Sequence, residues 1–233
     1  MSPLRMAFAA AAILVASAAA QAATVSFGTT PASTSTLTTG LQTTNFTSVL
    51  TLPKFDTTLG SLTSVAIDFA GSVNSTIKFE SLDASAATVT GAAAATVTLM
   101  RPNSSLIAVA VPTNTRSATV AAFDGTIDFA GASGAVFSNV SGTLTAPTVT
   151  LSSTSDLALF SGAGSIILPV TGTGSSTVSG PGNVVSQINT QASGSAFVVY
   201  TYSVTPFGVP EPASMALLGA GLAGLGLLRR RHA

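Results

Sequence analysis

Apolar and polar residues alternate along much of the chain between residues 60 and 204. Val65, Ile67 and Phe69 fall on one side of such a run, with polar or small residues between them. The same period recurs at Ile77 and Phe79, at Val97 and Leu99, at Ile107, Val109 and Val111, at Ile127 and Phe129, and from Ala196 to Val204. A period of two is typical of strands with one buried face. We expect about ten antiparallel strands in an all-β domain, a β-sandwich or jelly-roll-like fold, with no helix inside it.

Small polar residues, glycine and proline interrupt these runs and predict turns. The candidate turns are Ala70-Gly71-Ser72, Arg101-Pro102-Asn103, Asp124-Gly125, Ser141-Gly142 and Gly180-Pro181-Gly182-Asn183. One pentapeptide, Ile-Asp-Phe-Ala-Gly, occurs twice, at residues 67–71 and 127–131. Two similar strand-to-turn corners explain this echo, and a distant duplication is the alternative.

The first 22 residues have the pattern of a secretory signal peptide. Arg5 precedes an apolar stretch from Met6 to Val15, and Ala20-Gln21-Ala22 matches the small-residue cleavage pattern. We place the cleavage after Ala22, with Ala18-Ala19-Ala20 as the alternative. The chain is therefore predicted to be exported, with a domain at residues 23–208.

The last 25 residues, 209–233, combine three features in a fixed order. Pro210, Glu211 and Pro212 come first, an uncharged run from Ala213 to Leu228 follows, and Arg229, Arg230 and Arg231 come next. As a helix, the apolar run would be roughly 24 Å long, slightly short of a hydrocarbon core of about 30 Å. Snorkelling arginines could cover the difference and should stay cytoplasmic. A helix packed on the domain is the alternative, but this segment has no polar face.

This tail resembles the PEP-CTERM sorting signal of Gram-negative bacteria. In that family a Pro-Glu-Pro motif, a membrane helix and an arginine cluster are recognised by an exosortase. The sorting motif corresponds to Pro210, Glu211 and Pro212, and the stop-transfer cluster to Arg229, Arg230 and Arg231. The resemblance implies anchoring in the inner membrane, processing by the exosortase as a transient partner, and delivery to the cell surface or extracellular matrix. It also implies an association with exopolysaccharide and biofilm.

The body of the chain resembles the choice-of-anchor E type domains. The segments that carry the resemblance are Leu52-Pro53-Lys54-Phe55-Asp56, Leu59 to Val65, Ala122 to Thr126, and Asp156 to Phe160. Such domains occur with PEP-CTERM or alternative C-terminal anchors. They have no assigned biochemical activity, so the resemblance implies a class of surface protein and no reaction.

Charge is scarce in the predicted domain and slightly negative. Residues 23–208 contain four cations and seven anions, a net charge of −3. This excludes a basic surface for nucleic acid. Only 7% of the whole chain is charged, against about 25% in ordinary domains. Cysteine is absent, so an exported domain would depend on its core alone. Disorder is the competing interpretation, but apolar residues recur too regularly for it.

Catalytic residue types are almost missing. The one histidine is His232, beyond the apolar run, so histidine-based nucleophilic catalysis and ordinary zinc sites are unavailable to the domain. Two carboxylate pairs, Asp124 with Asp128 and Glu80 with Asp83, lack the aromatic surroundings of a sugar cleft. Calcium ligation by Asp56, Asp68, Asp124 and Asp128 near turns is conceivable, but turn capping is the preferred interpretation. We therefore expect no enzyme, no cofactor and no metal site.

These observations favour a structural or interaction protein of the cell surface or extracellular matrix. A weak carbohydrate- or surface-binding adhesin module is the alternative. Few aromatic residues and many hydroxyls fit either function.

Overall fold

The computed structural model describes residues 22–28 and 37–204. The helix α1 covers Thr154–Phe160, and Thr57–Leu59 form one turn of 3-10 helix. The strands within these ranges are β1 (Ala22–Gly28), β2 (Leu37–Thr38), β3 (Gln42–Thr43), β4 (Phe46–Pro53), β5 (Ser61–Ser81), β6 (Ala87–Met100), β7 (Leu106–Ala110), β8 (Thr113–Val120), β9 (Gly134–Thr145), β10 (Val149–Leu151), β11 (Ser165–Ser179) and β12 (Val184–Ser203). Their pairing within the sheets is antiparallel, so the prediction of an all-β antiparallel domain is confirmed.

The strands form one sheet of seven and one of five, and each sheet is four strands wide. In the seven-stranded sheet, β12 and β5 pair along their whole length, from Val184 opposite Ser81 to Ser203 opposite Ser61. Strands β1, β2 and β3 follow one another along the free side of β12, and β9 and β10 share the free side of β5. The five-stranded sheet has the order β4-β11-β6, with β7 and β8 sharing the far side of β6.

The inner faces of the two sheets meet and bury two hydrophobic clusters. Ile67 and Phe69 of β5 pack in the same cluster as Leu52 of β4 and Leu99 of β6, and all four side chains are fully buried. A second, smaller cluster contains Ile77, Phe79, Val89 and Val120. Each such side chain contributes about 1.5–3 kcal/mol through burial, so the alternation along the strands accounts for the layered fold.

A buried polar link lies between the two clusters along β5. The Ser75 hydroxyl donates to Oδ1 of Asn114 at 2.9 Å, and the Asn114 amide donates to the Val140 carbonyl at 2.7 Å. Because both donors have partners, burial of these groups is compensated. The link joins β5, β8 and β9, and so connects the two sheets at this side of the domain.

Two predicted turns are wrong, because their glycines lie inside strands. Gly71 is in the middle of β5 and Gly142 is in β9. A Cβ on Gly71 would lie 3.0 Å from the Cβ of Ala110, and a Cβ on Gly142 would lie 2.0 Å from the Thr113 carbonyl oxygen. These glycines permit close approach of the neighbouring chain. The turns predicted at residues 101–103, 124–125 and 180–183 lie between strands.

Three further expectations are corrected. Helix α1 lies inside the domain, where none was expected. Residues 121–133 form an irregular segment, so the strand predicted around Ile127 and Phe129 is wrong. Ile107, Val109 and Val111 were expected to share one buried side of a strand. The register of β7 shifts opposite Leu99 and Met100, so Ala108 and Ala110 are buried whereas Val109 is exposed.

The helices in the described ranges are too short or too polar to cross a bilayer. Of the predicted signal peptide, residues 1–22, only Ala22 is described, and it is the first residue of β1. The predicted membrane helix Ala213–Leu228 lies outside the described ranges.

Candidate functional site

The residues predicted to direct sorting follow closely on the last strand. Strand β12 ends at Ser203, seven residues before Pro210. Pro210, Glu211 and Pro212, like Arg229, Arg230 and Arg231, lie outside the described residues.

An aromatic cluster fixes that end of β12 to the core. The ring centroids of Phe55 and Tyr200 are 6.1 Å apart in an edge-to-face arrangement, and those of Phe55 and Tyr202 are 4.9 Å apart. The Tyr200 hydroxyl donates to the Pro53 carbonyl at 2.9 Å. Burial raises the pKa of this hydroxyl well above its ordinary value of 10. The strand that precedes the tail is thus held by both packing and a hydrogen bond.

A cavity of about 430 Å³ lies between the β6–β7 turn and α1. Its side chains come from Arg101, Pro102, Asn103, Ser105, Ser155, Asp156 and Leu159. Nε of Arg101 donates to Oδ1 of Asp156 at 2.6 Å, and Nη2 donates to Oδ2 at 3.2 Å. Nη1 of Arg101 donates to the Leu106 carbonyl at 2.7 Å. The guanidinium therefore lines the cavity, and each of its three nitrogens donates to a group within the protein.

Local sequence explains why Asp156 points at Arg101. The Ser153 hydroxyl accepts from the Asp156 amide at 3.1 Å, which caps the first turn of α1, and it donates to Oδ2 of Asp156 at 2.8 Å. The hydrogen bond from Arg101 holds the pKa of Asp156 below its ordinary 3.8, with Ser153 adding to the effect against the opposing effect of burial. Asp156 is therefore an ionised, oriented acceptor.

The cavity offers hydroxyl and amide groups, and its one carboxylate, Asp156, is paired with Arg101. Asn103, Ser105 and Ser155 provide polar contacts beside apolar Pro102 and Leu159. Across the described residues no three acidic, histidine or cysteine side chains group in a way that could hold a metal ion. Such a cavity suits a small neutral polar ligand.

Sequence reasoning missed this cavity and the helix beside it. The available signal was Ser153-x-x-Asp156, which is the spacing of a helix N-cap followed by an acidic residue. The sequence pattern placed Arg101 at a turn and indicated no partner for its side chain. Its pairing with Asp156, 55 positions away, had no signal in the chain.

The turn-capping interpretation is confirmed for three of the four candidate calcium ligands. Asp56 accepts from the Thr58 amide at 2.9 Å, Asp124 from the Thr126 amide at 3.0 Å and Asp128 from the Ala130 amide at 2.8 Å. The hydrogen bond from the Thr58 amide lowers the pKa of Asp56. Asp68 is different, because it lies in β5 and accepts from the Thr148 hydroxyl.

The outer face of the five-stranded sheet carries hydroxyl and methyl groups and no charge. Among its strand residues the only charged one is Arg116. Arg116 pairs in register with the buried Gly91. Residues paired in this way share a face of the sheet, so Arg116 lies on the inner face. Outward-facing threonines and serines bond across strands, as in Thr88 to Thr119 at 2.9 Å and Thr90 to Ser117 at 2.7 Å. Exposed apolar side chains include Val49 and Ile167, which are 50% and 54% exposed.

A comparison with protein families agrees with the sequence pattern of the tail. Residues 208–231 match the PEP-CTERM protein-sorting motif. A motif of this kind marks an exported protein that is anchored in a membrane before an exosortase processes it and sends it to the cell surface. The matched stretch includes the predicted sorting residues Pro210, Glu211 and Pro212.

The other comparisons are less informative about the folded domain. No curated protein matches the chain. Among solved structures, similarity is found to infectious bursal disease virus Gx strain at 14% identity and TM-score 0.13, covering 87% of this chain and 47% of that one. The VP2 subviral particle of the same virus matches at 14% identity and TM-score 0.14, over 88% and 46%. The chain spans about half the length of these proteins, and TM-scores this low support no inference about fold or function.

Proposed function

We propose that this protein is a structural component of the cell surface or extracellular matrix, associated with exopolysaccharide and biofilm, and that it is not an enzyme. The observation that carries the proposal is the sorting motif at residues 208–231, only a few residues after a β domain. The domain would be a β-sandwich of the choice-of-anchor E type. The domain would contact other components of the cell surface or matrix and would not catalyse a reaction.

Several features of the described domain support a role in contact. The domain lacks histidine and cysteine, so the commonest nucleophile and base pairs are unavailable. The outer face of the five-stranded sheet is uncharged, as described above. A neutral face rich in hydroxyls can lie against a neutral polymer without desolvating charged groups.

The C-terminal mass of the mature protein tests the sorting part of the proposal. We would purify the protein from the surface fraction of its native host and of a strain without exosortase. We expect loss of the segment after Pro210-Glu211-Pro212 in the first strain and its retention in the second. Glu211→Ala should also retain the tail, whereas the control Pro206→Ala, outside the motif, should be processed normally. A surface protein that still carries Arg229, Arg230 and Arg231 would overturn the proposal.

A second candidate function is weak binding of carbohydrate. The cavity beside Arg101 favours it, because Asn103, Ser105 and Ser155 bring an amide and two hydroxyls to one rim. A glycan pull-down with wild type and Asn103→Ala separates the two candidates. Equal retention of both proteins would argue that the cavity does not bind sugar.

A further inference from the structure

Glu80 is a fully buried acidic residue, although it lies on the outer face of the seven-stranded sheet. On β5 its neighbour Phe79 points into the hydrophobic core, so the alternation of the strand turns Glu80 to the outer face. Lys78, two residues earlier on that outer face, is partly exposed, yet Glu80 is 0% exposed. Neither carboxylate oxygen of Glu80 has a hydrogen-bond partner among the described residues.

The irregular segment 121–133 covers this carboxylate. The backbone ties the segment down through bonds from the Ala121 amide to the Ala132 carbonyl at 2.7 Å and from the Ser81 amide to the Ser133 carbonyl at 2.9 Å. A Cβ placed on Gly134 would lie 2.5 Å from Oε2 of Glu80 and 2.5 Å from the Ala130 amide nitrogen. Oε2 of Glu80 and the Ala130 amide nitrogen therefore both lie next to Gly134, close to the turn that ends the segment.

Two more carboxylates lie at the same turn. Asp128 accepts from the Ala130 amide at 2.8 Å, and Oδ2 of Asp124 lies 2.5 Å from the position that a Cβ on Gly131 would take. Arg101 and Asp156 form the only ion pair among the described residues, so Glu80, Asp124 and Asp128 have no cation in direct contact. Three acidic groups thus lie at this turn, and the carbonyl carbon of Phe129 is also 2.5 Å from the position that a Cβ on Gly134 would take.

A buried ionised carboxylate without a partner costs several kcal/mol and needs compensation. A bound cation supplies it, and the neighbouring aspartates would favour a positive charge. The ligand types select among cations, since one buried carboxylate with carbonyls and water suits Ca²⁺ and lacks the nitrogen and sulfur donors of zinc. Extracellular Ca²⁺ modules of this sparse kind bind in the range of about 10⁻⁴–10⁻³ M.

We propose that Glu80, beneath segment 121–133, is the anchoring ligand of a Ca²⁺ site completed by main-chain carbonyl oxygens of that segment and by water. The ion would neutralise Glu80 and hold the segment on the outer face of the seven-stranded sheet. Asp124 and Asp128 keep their turn-capping hydrogen bonds in this assignment, because neither carboxylate is a proposed ligand of the ion.

The test compares the full chain with Glu80→Gln after removal of divalent ions by a chelator. We expect wild type to bind one Ca²⁺ in a calorimetric titration and to melt roughly 3–5 °C higher at ten times the dissociation constant. Glu80→Gln should show neither effect. The matched control is Asp68→Asn, which removes a carboxylate from the same strand and the same outer face, and it should respond to Ca²⁺ as wild type does.

Every outcome decides the proposal. Absence of Ca²⁺ binding by wild type overturns it, as does a Glu80→Gln variant that binds Ca²⁺ normally. A Glu80→Gln variant that is more stable than a Ca²⁺-insensitive wild type would also overturn it, because Glu80 would then be buried without a compensating ion. If Glu80→Gln does not fold, Mn²⁺ added to wild type locates the site: selective broadening of amide signals at residues 79–81 and 129–134 supports it, and broadening elsewhere overturns it.

Discussion

Arg101 and Asp156 form a two-point ion pair that joins the β6–β7 turn to helix α1. The nitrogen–oxygen distances are 2.6 and 3.2 Å, and the side chains are 20% and 12% exposed. Parallel bonds from one guanidinium to one carboxylate fix orientation as well as distance. Because the pair is mostly removed from water, losing one partner leaves the other charge poorly solvated.

Asp156→Ala should lower the free energy of unfolding by about 1–3 kcal/mol, because it leaves the Arg101 charge without its partner. Equilibrium unfolding in denaturant measures this. A double-mutant cycle with Arg101→Met isolates the pair from other contacts of either side chain. Ser155→Ala, on the same helix turn, is the control and should stay near wild type. Additive single and double variants would show that the pair contributes nothing to stability.

Acid should remove the contribution of the Arg101–Asp156 pair to the free energy of unfolding. The Asp156 pKa is lower in the folded protein than its ordinary 3.8, so the folded state favours the ionised form. That stability is present above pH 3.8 and is lost as the pH falls through the lower folded value. The difference in melting temperature between wild type and Asp156→Asn should therefore shrink below about pH 3.8. A difference that stays constant until wild type unfolds contradicts the assignment.

Gly142→Ala should destabilise the domain by about 1–3 kcal/mol, because the added methyl group would meet main chain rather than a movable side chain. Its Cβ would lie 2.0 Å from the Thr113 carbonyl oxygen. Gly180→Ala is the matched control, since its closest neighbour is a Val89 methyl group at 3.2 Å. Thermal unfolding compares the two. Equal melting temperatures would mean that β8 and β9 can separate at no cost.

The twice-repeated pentapeptide shows what sequence pattern can and cannot predict here. Ile67 to Gly71 lie in β5, whereas the same five residues at 127–131 lie in the irregular segment 121–133. Ile67 is fully buried and Ile127 is 54% exposed. In β5 the partners β12, β9 and β10 on both sides impose the extended form. At 127–131 the Asp128 cap and the positive φ angles of Phe129 and Gly131 impose a turn. Local sequence is identical, so long-range pairing decided the outcome.

The candidate sites also differ in whether local sequence or long-range contact creates them. Alternation predicted the buried faces of β5, β6 and β12, because burial is a property of each strand's own sequence. The Arg101–Asp156 pair and the covered Glu80 depend on contacts between distant segments, which no local period encodes. The sorting tail is the opposite case, since its signal is contiguous, and residues 208–231 match the PEP-CTERM motif that the sequence pattern predicted.

Alkaline titration gives a prediction for Tyr200, which is fully buried at the end of β12 and donates to the Pro53 carbonyl. Tyr202→Phe leaves Tyr200 as the only tyrosine, since the chain has two. Its raised folded pKa stabilises the protein below pH 10, and that stability is lost as the pH rises beyond the unfolded value of 10. Tyrosinate absorbance should therefore appear only together with loss of the β signal in circular dichroism. Tyrosinate at about pH 10 in a folded protein would contradict the burial. The reciprocal variant Tyr200→Phe removes the bond to Pro53 and should lower stability by about 1 kcal/mol.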